Sequence, residues 1–229
     1  LKNLKIKPFI VINNYAFIYY LQKVSNKNMN QTKQLIDINE NPFVLFNKWF
    51  AEAKEKEMND PNAMDLATVG YNLRPSSRIV LLKSHDTSGF VFYTNLNSCK
   101  GIHIRENAKV ALNFYWKSLL KQIRIEGIAK LVSDQEANDY YNSRPEDSRI
   151  GAWASNQSSE LMNREELERN VQSYKKKYEG KTIPRPAYWS GFRVEPDLIE
   201  FWQHMQFRLH DRVEFTKYEK GWLGKNLYP

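Results

Sequence analysis

Cationic side chains bracket one apolar run of the sequence in a way that suits anion binding. Arg78 and Lys83 stand at the two ends of the continuous apolar stretch 79–82. A cation at each end of a buried strand is well placed to grip a phosphate at the rim of a sheet, because guanidinium and ammonium groups are strong donors to phosphate oxygens. Two charges that face solvent at the ends of a strand give the same pattern. This motif on its own leaves both interpretations open.

A later segment offers a second set of anion-binding groups. Tyr140, Arg144 and Ser148 supply a hydroxyl, a guanidinium and another hydroxyl, which could converge on one oxyanion. The alternative is structural, because a residue followed by proline, as Arg144 is by Pro145, is common where a helix ends. Residues 150–158 are rich in small and amide side chains, which suit close approach to a flat ligand and fit a tight loop equally well.

The run 208–212 holds the densest cluster of positive groups. Arg208, His210 and Arg212 alternate, so in an extended strand they share one face. Three cations on one face repel one another unless an anion or an electron-rich ring lies over them. Neutralisation by Asp211 and Glu200 is the structural alternative.

Periodicity and turn residues divide the chain from residue 41 onward into helices and short strands. Asn41 is predicted to cap a helix that begins at Pro42 and ends near Met58, because its apolar residues recur at helical spacing. Further predicted helices begin at Ser98, at Ser133 or Asp134 and at Asn163, and end near residues 105, 142 and 178. Strands are predicted over residues 63–69, 76–84, 89–94, 109–116, 122–132, 191–194, 198–203, 212–217 and 222–227.

Many short strands with few helices predict a mainly β (α+β) fold, an antiparallel and at least partly closed barrel with peripheral helices. Strands and helices do not alternate regularly, which disfavours a doubly wound α/β sheet. The sequence has no Gly-x-Gly-x-x-Gly motif and no Walker-type loop, so a nucleotide would be held in some other way. No linker interrupts residues 29–229, which we expect to form a single domain.

Composition narrows the class of protein. Of the 229 residues, 41% are hydrophobic and 26% are charged, which is ordinary for a soluble globular chain and excludes disorder or coiled coil as a description of the whole. The single cysteine, Cys99, excludes an internal disulfide framework and a cysteine-based zinc site, and we expect no metal. A reducing, cytoplasmic location is therefore expected.

The positive charge is unevenly distributed. The net charge is +8, which raises the question of a nucleic-acid partner. Residues 1–28 contain five lysines and no acidic residue, which leaves only +3 on the rest of the chain. We interpret residues 1–28 as an N-terminal extension that adds nothing to function. A membrane-targeting segment and an element packed on the body are the alternatives, although the apolar stretch 8–21 is shorter than the about 20 residues a spanning helix needs.

Several motifs occur together, in order, in one known family. The chain resembles the pyridoxamine 5′-phosphate oxidase family in residues 78–83, 92–95, 122–127, 143–145, 150–153, 157–158, 200–202 and 208–212. Each piece alone is weak, whereas the ordered set is specific, above all the run Arg208-Leu-His-Asp-Arg212. The resemblance covers residues 41–229.

The resemblance implies a fold, a cofactor and a reaction. Members of the family are FMN-binding split barrels that work as homodimers, with each FMN at the subunit interface. They oxidise pyridoxamine 5′-phosphate or pyridoxine 5′-phosphate to pyridoxal 5′-phosphate, as in vitamin B6 salvage. A hydride leaves C4′ of the substrate for flavin N5, and O₂ reoxidises the flavin to give H₂O₂; the amine substrate also releases ammonia.

The resemblance also implies roles for individual residues. Arg208 and His210 would be catalytic, covering the substrate ring and fixing C4′ over the flavin. The substrate phosphate would be held by Lys83, Tyr140, Arg144 and Ser148. FMN would contact Arg78, Ile79, Val80, Leu81, Leu82, Lys83, Tyr93, Thr94, Lys100, Gln122, Gln157, Ser158, Trp202 and Arg212.

Four residues depart from the family pattern. Asp65 stands where an apolar strand residue is usual, and Leu73 replaces a turn glycine or a small polar residue. Cys99 precedes Lys100 where the family commonly has arginine, so one cation for the FMN phosphate is absent. Asn226 takes a position that is usually arginine. These departures bear on affinity and stability more than on reaction type.

Two rival functions come from other classes of protein. Another flavin split-barrel oxidoreductase, acting on a different ring, would not need the phosphate-binding set Tyr140, Arg144 and Ser148. A basic nucleic-acid-binding module has only residues 1–28 and scattered aromatic residues in its favour, and its affinity should fall steeply with salt. We therefore expect neither nucleic acid nor a membrane among the partners.

Overall fold

The first helix of the protein begins where the sequence predicts it. A computed structural model describes residues 35–229; the predictions for residues 1–28, and the start of the domain at residue 29, lie outside the described residues. Helix α1 (Pro42–Lys56) is capped by Asn41, whose side-chain oxygen accepts a hydrogen bond from the backbone N–H of Phe43 at 2.9 Å. Proline at the first helical position has no N–H to leave unpaired, so the cap and the proline fix the start of the helix together.

The apolar face of α1 packs into the hydrophobic core that the curled sheet encloses. Phe46 is fully buried, and its ring centroid lies 4.9 Å from that of Phe90, 5.5 Å from that of Phe114 and 5.5 Å from that of Phe50. Aromatic rings at these separations add about 0.5–1.5 kcal/mol per pair to the burial of their area. The helix therefore closes one side of the hydrophobic core.

A curled antiparallel sheet forms the body of the described residues. Its path runs β2-β1-β5-β6-β7-β4-β3, and β8 and β9 continue it from β7. Alternate residues face the core, as Met64 and Leu66 do in the first strand. The nine strands are β1 (Ala63–Val69), β2 (Pro75–Leu81), β3 (Ser84–Asp86), β4 (Gly89–Asn95), β5 (Lys109–Trp116), β6 (Lys121–Leu131), β7 (Trp189–Gln203), β8 (Asp211–Tyr218) and β9 (Gly221–Asn226).

Strand β7 has two different neighbours on the same edge. Residues 189–194 pair with β4, whereas residues 198–203 pair with β8; β6 pairs with β7 along both halves. The change of partner coincides with Pro196 and with a bulge in β7, where Asp197 is the extra residue because Glu126 and Gly127 of β6 pair with Leu198 and Pro196. A side chain at Gly127 would place its Cβ 2.2 Å from the carbonyl oxygen of Glu195, so only glycine fits there. The sheet divides at this point, which makes the fold a split barrel.

The remaining helices lie outside the sheet. Ser98, Ser133 and Asn163 cap their helices with side-chain oxygens, as the sequence predicts. In the described part of the chain, no helix is long and apolar enough to cross a membrane. The four helices are α2 (Cys99–Glu106), α3 (Asp134–Ser143), α4 (Glu146–Ala154) and α5 (Arg164–Tyr178).

Three sequence predictions of secondary structure are wrong. Residues 191–194 and 198–203 form one continuous strand, because the proline between them is accommodated at the bulge. The segment 150–158, interpreted as a ligand-facing or tight loop, is largely helix α4, whose Pro145 cap makes no side-chain hydrogen bond and so left no sequence signal. Arg208 lies in a 3₁₀ turn with a φ of 63°, not in a strand with Arg212.

Asp65 does not point into the barrel. It lies between Met64 and Leu66, which are buried in the core, and therefore projects from the opposite face of β1. It is half-buried there, opposite Ile79 of β2 and Asn113 of β5. The carboxylate thus occupies the outer face of the sheet, where the desolvation cost of a core position does not arise.

The departure at Leu73 creates local backbone strain. Leu73 has a φ of 58°, its N–H donates to the carbonyl oxygen of Gly70 at 3.0 Å, and its side chain is 77% exposed, so no packing offsets the strained conformation. The left-handed conformation costs an L-residue about 1–2 kcal/mol.

We predict that Leu73→Gly raises the free energy of unfolding by about 0.5–1 kcal/mol, because relief of strain exceeds the entropy that glycine adds to the unfolded chain. The matched control is Leu223→Gly in β9, another exposed leucine (68%) but in a regular strand, which should lower stability by about 0.5–1 kcal/mol. Urea unfolding measures both. Equal signs for the two changes would contradict the strain at Leu73.

Candidate active site

A cavity of about 620 Å³ lies beside β2 and β4 and is covered by α3 and α4. Its lining includes three cations and, among the described residues, no carboxylate. A concave site with this charge is built for an anion. The lining residues are Ile79, Val80, Leu81, Lys83, Tyr93, Thr94, Asn95, Lys100, Tyr140, Arg144, Pro145, Ser148, Gly151, Ala152, Ser155, Gln157 and Trp189.

One wall of the cavity is organised around Lys100. The ammonium group donates to Ser98 Oγ at 3.2 Å and to Gln157 Oε1 at 3.0 Å, and Thr94 Oγ1 donates to the same Gln157 oxygen at 3.2 Å. Burial lowers the pKa of Lys100, and the nearby charge of Arg78 lowers it further. A bound anion would offset the effects of burial and of Arg78 on the charged lysine, which makes Lys100 a candidate anion-binding residue.

The opposite wall presents Arg144, the residue that ends helix α3. Its Nη1 is buried and has no hydrogen-bond partner among the residues that the structure describes. Burial lowers the pKa of this guanidinium, against smaller opposing effects of Tyr140 and Tyr141. A buried cationic donor without a partner is costly, and in a native structure it commonly marks a binding function.

Aromatic rings form the floor between these two walls. The rings of Tyr93 and Tyr140 stack with centroids 4.0 Å apart, and Trp189 continues the stack 5.4 Å from Tyr93 with an interplanar angle of 8°. Burial raises the pKa of Tyr93 to about 12, so it remains a neutral phenol. The cavity thus offers flat apolar area between two cationic ends.

A second group of polar residues lies at the other end of the sheet. Gln122, Trp202 and Arg212 stand opposite one another in β6, β7 and β8, so they share a face. Arg212 Nε donates to Oε1 of Glu200, a buried carboxylate whose Oε2 accepts from Arg124 at 2.5 Å. The buried carboxylate fixes the direction of both guanidinium groups.

His210 packs against this second group. Its ring centroid lies 4.6 Å from that of Trp202, and its Nδ1 accepts a hydrogen bond from the backbone N–H of Met205 at 3.2 Å. Burial lowers the pKa of His210, and the charges of His204, Arg208 and Arg212 lower it further. At neutral pH the ring is therefore neutral, with its proton on Nε2. Arg208 itself is exposed.

The structure divides the residues that the sequence singled out into these two groups. About 40 Å of strand separates Trp189, which lines the cavity, from Trp202. One chain therefore presents two separate partial sites. The cavity gathers Ile79, Val80, Leu81, Lys83, Tyr93, Thr94, Lys100, Tyr140, Arg144, Ser148 and Gln157, and the second group contains Gln122, Trp202, Arg208, His210 and Arg212.

Besides Gln122, Trp202 and Arg212 of the second group, three more of the expected cofactor contacts do not line the cavity. Arg78 is directed to its own sheet, donating to the carbonyl oxygen of Leu66 and to Thr68 Oγ1. Leu82 is buried in the hydrophobic core. Ser158 lies beyond the cavity in a turn, with a φ of 71°.

The lining also contains residues that sequence reasoning missed. Trp189 and Asn95 are directly opposite each other in β7 and β4, at the end of the pairing. Trp189 falls outside every motif used above, because the strand was predicted to begin only at residue 191. Gly151, Ala152 and Ser155 lie in the segment 150–158, which the sequence offered as a surface for a flat ligand or as a tight loop; Gly151 and Ala152 belong to helix α4, and Ser155 is its C-cap.

Fold and site together define an antiparallel split barrel with a cavity lined by cationic side chains and aromatic rings. Residues 50–178 match the model of the pyridoxamine 5′-phosphate oxidase family, and residues 189–229 match a model described as the pyridoxine 5′-phosphate oxidase C-terminal dimerisation region. The chain belongs to the pyridoxamine 5′-phosphate oxidase family, as the sequence motifs predicted.

Relatives and solved structures agree with this assignment. The pyridoxine/pyridoxamine 5′-phosphate oxidase of Bartonella quintana is 54% identical over 82% of this chain and 92% of its own length, and that of Granulibacter bethesdensis is 51% identical over 83% and 92%. PhzG from Burkholderia lata, solved with tetrahydrophenazine-1-carboxylic acid, has a TM-score of 0.78 at 30% identity over 87% of this chain and 95% of its own. An FMN-binding protein of Nostoc punctiforme shares the fold with a TM-score of 0.65 at 15% identity over 80% of this chain and 97% of its own.

Because the pKa of Lys100 is lowered in the folded state, its contribution to stability depends on pH. At neutral pH both states hold the proton and the burial cost is fully present; as the pH rises towards the ordinary pKa of lysine, the folded state loses its proton first and the cost is relieved. We predict that the flavin-free protein gains stability relative to Lys100→Met between about pH 8 and about pH 10.

Urea unfolding at the two pH values measures this trend, with the exposed Lys117→Met as the control for loss of a charge. If the stability of the parent protein relative to Lys100→Met stays constant or falls with rising pH, the assigned cost is wrong.

Proposed function

We propose that this chain oxidises pyridoxine 5′-phosphate and pyridoxamine 5′-phosphate to pyridoxal 5′-phosphate with FMN as cofactor and O₂ as electron acceptor. The observation that carries the proposal is the cavity, which Lys83, Lys100 and Arg144 line together with stacked aromatic rings and, within residues 35–229, without a carboxylate. A phosphorylated aromatic ring satisfies both the charge and the shape. Relatives at above 50% identity that bear the name of this oxidase support the choice of substrate.

The residues present fit FMN. Lys100, Thr94 and Gln157 form one connected set of donors and an acceptor, with Ser98 at the N-terminus of helix α2 beside them. Cationic and hydroxyl donors at a helix start suit the cofactor phosphate. When bound, FMN supplies the redox chemistry, taking a hydride from the substrate and passing its electrons to O₂.

We assign the substrate phosphate to the opposite wall. The unpartnered Nη1 of Arg144 and the side chains of Tyr140, Ser148 and Lys83 line this part of the cavity. These groups supply cationic and hydroxyl donors, and no acid among the lining residues competes with the phosphate for them. Binding the phosphate here orients the ring of the substrate along the aromatic floor.

Arg208 and His210 are proposed to act on the ring of the substrate. The neutral His210 holds its proton on Nε2, where it can donate to a ring substituent. Arg208 lies in a strained turn with Phe207, whose φ is 57°, and strained backbone of this kind is concentrated at functional sites. We infer that the two residues fix C4′ in a reactive position, which is a contribution of orientation.

These groups meet only if two copies of the chain combine. In one chain the cavity and the group around Trp202 and His210 belong to opposite ends of β7. All of the second group except Gln122 lies in the region matched by the dimerisation model. We therefore propose a homodimer in which the second group of one copy completes the cavity of the other. The free, exposed thiol of Cys99 suits a reducing location such as the cytoplasm.

The rival hypothesis is that this chain oxidises a different ring, and one of the solved structures gives it some support. PhzG of Burkholderia lata was solved with a carboxylated tricyclic ligand and shares 30% identity with this chain. A carboxylate would need fewer donors than the cavity provides. Turnover of pyridoxine 5′-phosphate, with no turnover of unphosphorylated pyridoxine, separates the two hypotheses.

We predict that the flavin-loaded protein is a dimer, with a mass of about twice 27.1 kDa in light scattering. Arg212→Ala should weaken FMN binding at least tenfold, because Arg212 belongs to the second group, which we propose completes the cavity of the other copy. Lys217→Ala, an exposed change on the same strand, should have no effect on FMN affinity. A stable monomer that binds FMN would overturn the proposed assembly.

We predict that Arg208→Lys keeps FMN and the dimer but loses roughly 10²-fold or more in kcat/KM, about 2.7 kcal/mol, because lysine retains the charge without the planar fork. The measurement is anaerobic stopped-flow reduction of the bound flavin by pyridoxine 5′-phosphate. Arg164→Lys, exposed on helix α5, is the control. If Arg208→Lys reduces its flavin at the parent rate, the assignment of Arg208 is wrong.

A further inference from the structure

Arg144 is held by rings and not by an acid. Its guanidinium carbon lies 4.7 Å from the centroid of Trp189 and 5.9 Å from that of Tyr141. Burial lowers the pKa of Arg144, Tyr140 and Tyr141 oppose that effect, and no described carboxylate contributes to the shift. A cation over the face of tryptophan is attracted by the ring, and the attraction is stronger when the cation is desolvated, as here.

Trp189 is itself fixed on its other sides. It is 6% exposed, it stacks with Tyr93 and Tyr140 at interplanar angles of 8° and 9°, and Tyr141 meets it edge-on at 5.2 Å. Its backbone is locked as well, because its carbonyl oxygen accepts from Arg185 at 2.7 Å. The ring under Arg144 therefore has one orientation.

An aromatic partner differs from an acidic one in what it leaves available. A carboxylate would neutralise the guanidinium and occupy two of its N–H groups. A ring below the guanidinium plane attracts the cation but takes none of the N–H groups at its edge, and the unpartnered Nη1 is one of these. Two acids of helix α3, the helix that ends at Arg144, pair with other arginines: Asp134 with Arg185, and Glu136 with Arg193.

We propose that Trp189 is a positioning residue for substrate phosphate: its ring holds Arg144 in place with the full positive charge and the N–H edge directed to the phosphate. This inference rests on the proposed function and adds a residue that no motif identified. It predicts that Trp189 affects affinity for the phosphate and leaves the chemical step unchanged.

The test uses the flavin-loaded enzyme and compares Trp189→Leu, Trp189→Phe, Arg144→Ala and the double variant Trp189→Leu/Arg144→Ala. For each, KM and kcat are measured with pyridoxine 5′-phosphate, and inorganic phosphate is titrated as a competitive inhibitor. Trp153→Leu is the matched control, because Trp153 also contacts a cation, Lys177 at 5.7 Å, but does not line the cavity.

We expect Trp189→Leu to raise KM and the inhibition constant of phosphate about tenfold with kcat within about twofold, and to add nothing further in the Arg144→Ala background. Trp189→Phe, with a weaker π face, should raise both constants two- to fivefold. Trp153→Leu should leave both constants at the parent values.

Each result has one meaning. If Arg144→Ala leaves KM and phosphate inhibition unchanged, the proposed phosphate site fails, and with it the role of Trp189. If Arg144→Ala raises both constants and Trp189→Leu does not, or if the two changes add independently, the inference about Trp189 alone is overturned. Should Trp189→Leu fail to load flavin, Trp189→Phe decides, and parent values for both constants in that variant overturn the inference.

Discussion

Strand β7 bears a constraint on which the rest of the structure depends, since it must pair with two different strands along one edge. Its first half lies beside β4 and its second half beside β8, and the change occurs at the bulge of β7 next to Pro196, which pairs with Gly127. A regular strand would pair with one neighbour along its whole length, and the sheet would not divide. The division places Trp189 at the cavity and Trp202 at the distant end. The two partial sites follow from this single irregularity.

The cavity also shows how function and stability oppose each other. Lys83, Lys100 and Arg144 line it without an acid, and burial disfavours the charged forms of Lys100 and Arg144. Paired with carboxylates, the same cations would stabilise the empty protein and weaken its hold on phosphates. The cations have neutral partners that leave their charge in place: Gln157 accepts a hydrogen bond from Lys100, and the indole ring of Trp189 lies under Arg144. The ligand is left to supply the missing negative charge.

Much of this architecture could be predicted from the sequence, because local rules agreed with the global fold. Caps at Asn41, Ser98 and Asn163 and the alternation in the strands fixed most element boundaries. Helix α4 was missed because its cap uses no side chain, and the continuity of β7 was missed because a proline ordinarily ends a strand. In both cases contacts with distant parts of the chain stabilise an element that the local sequence does not favour, and a local pattern cannot show such contacts.

The site was predictable to a different degree. The ordered motifs led to most cavity residues, yet spacing alone placed Arg208 in a strand with Arg212, whereas it lies in a strained turn. Alternation implies a shared face only where the backbone is extended, and nothing in the residue types marked the turn. Trp189 was missed for a related reason, since an aromatic residue at the start of a buried strand has the appearance of core.

Glu200 has a consequence for how this surface can change over time. Its two oxygens are divided between Arg124 on β6 and Arg212 on β8, and the carboxylate itself is 2% exposed. A substitution at Arg124, far along the sheet from the cavity lining, would leave one carboxylate oxygen unpaired and free Arg212 to turn towards it. The three positions are therefore tied as a unit, and drift at any one of them requires compensation at the others. Among descendants of this chain, Arg124, Glu200 and Arg212 should covary.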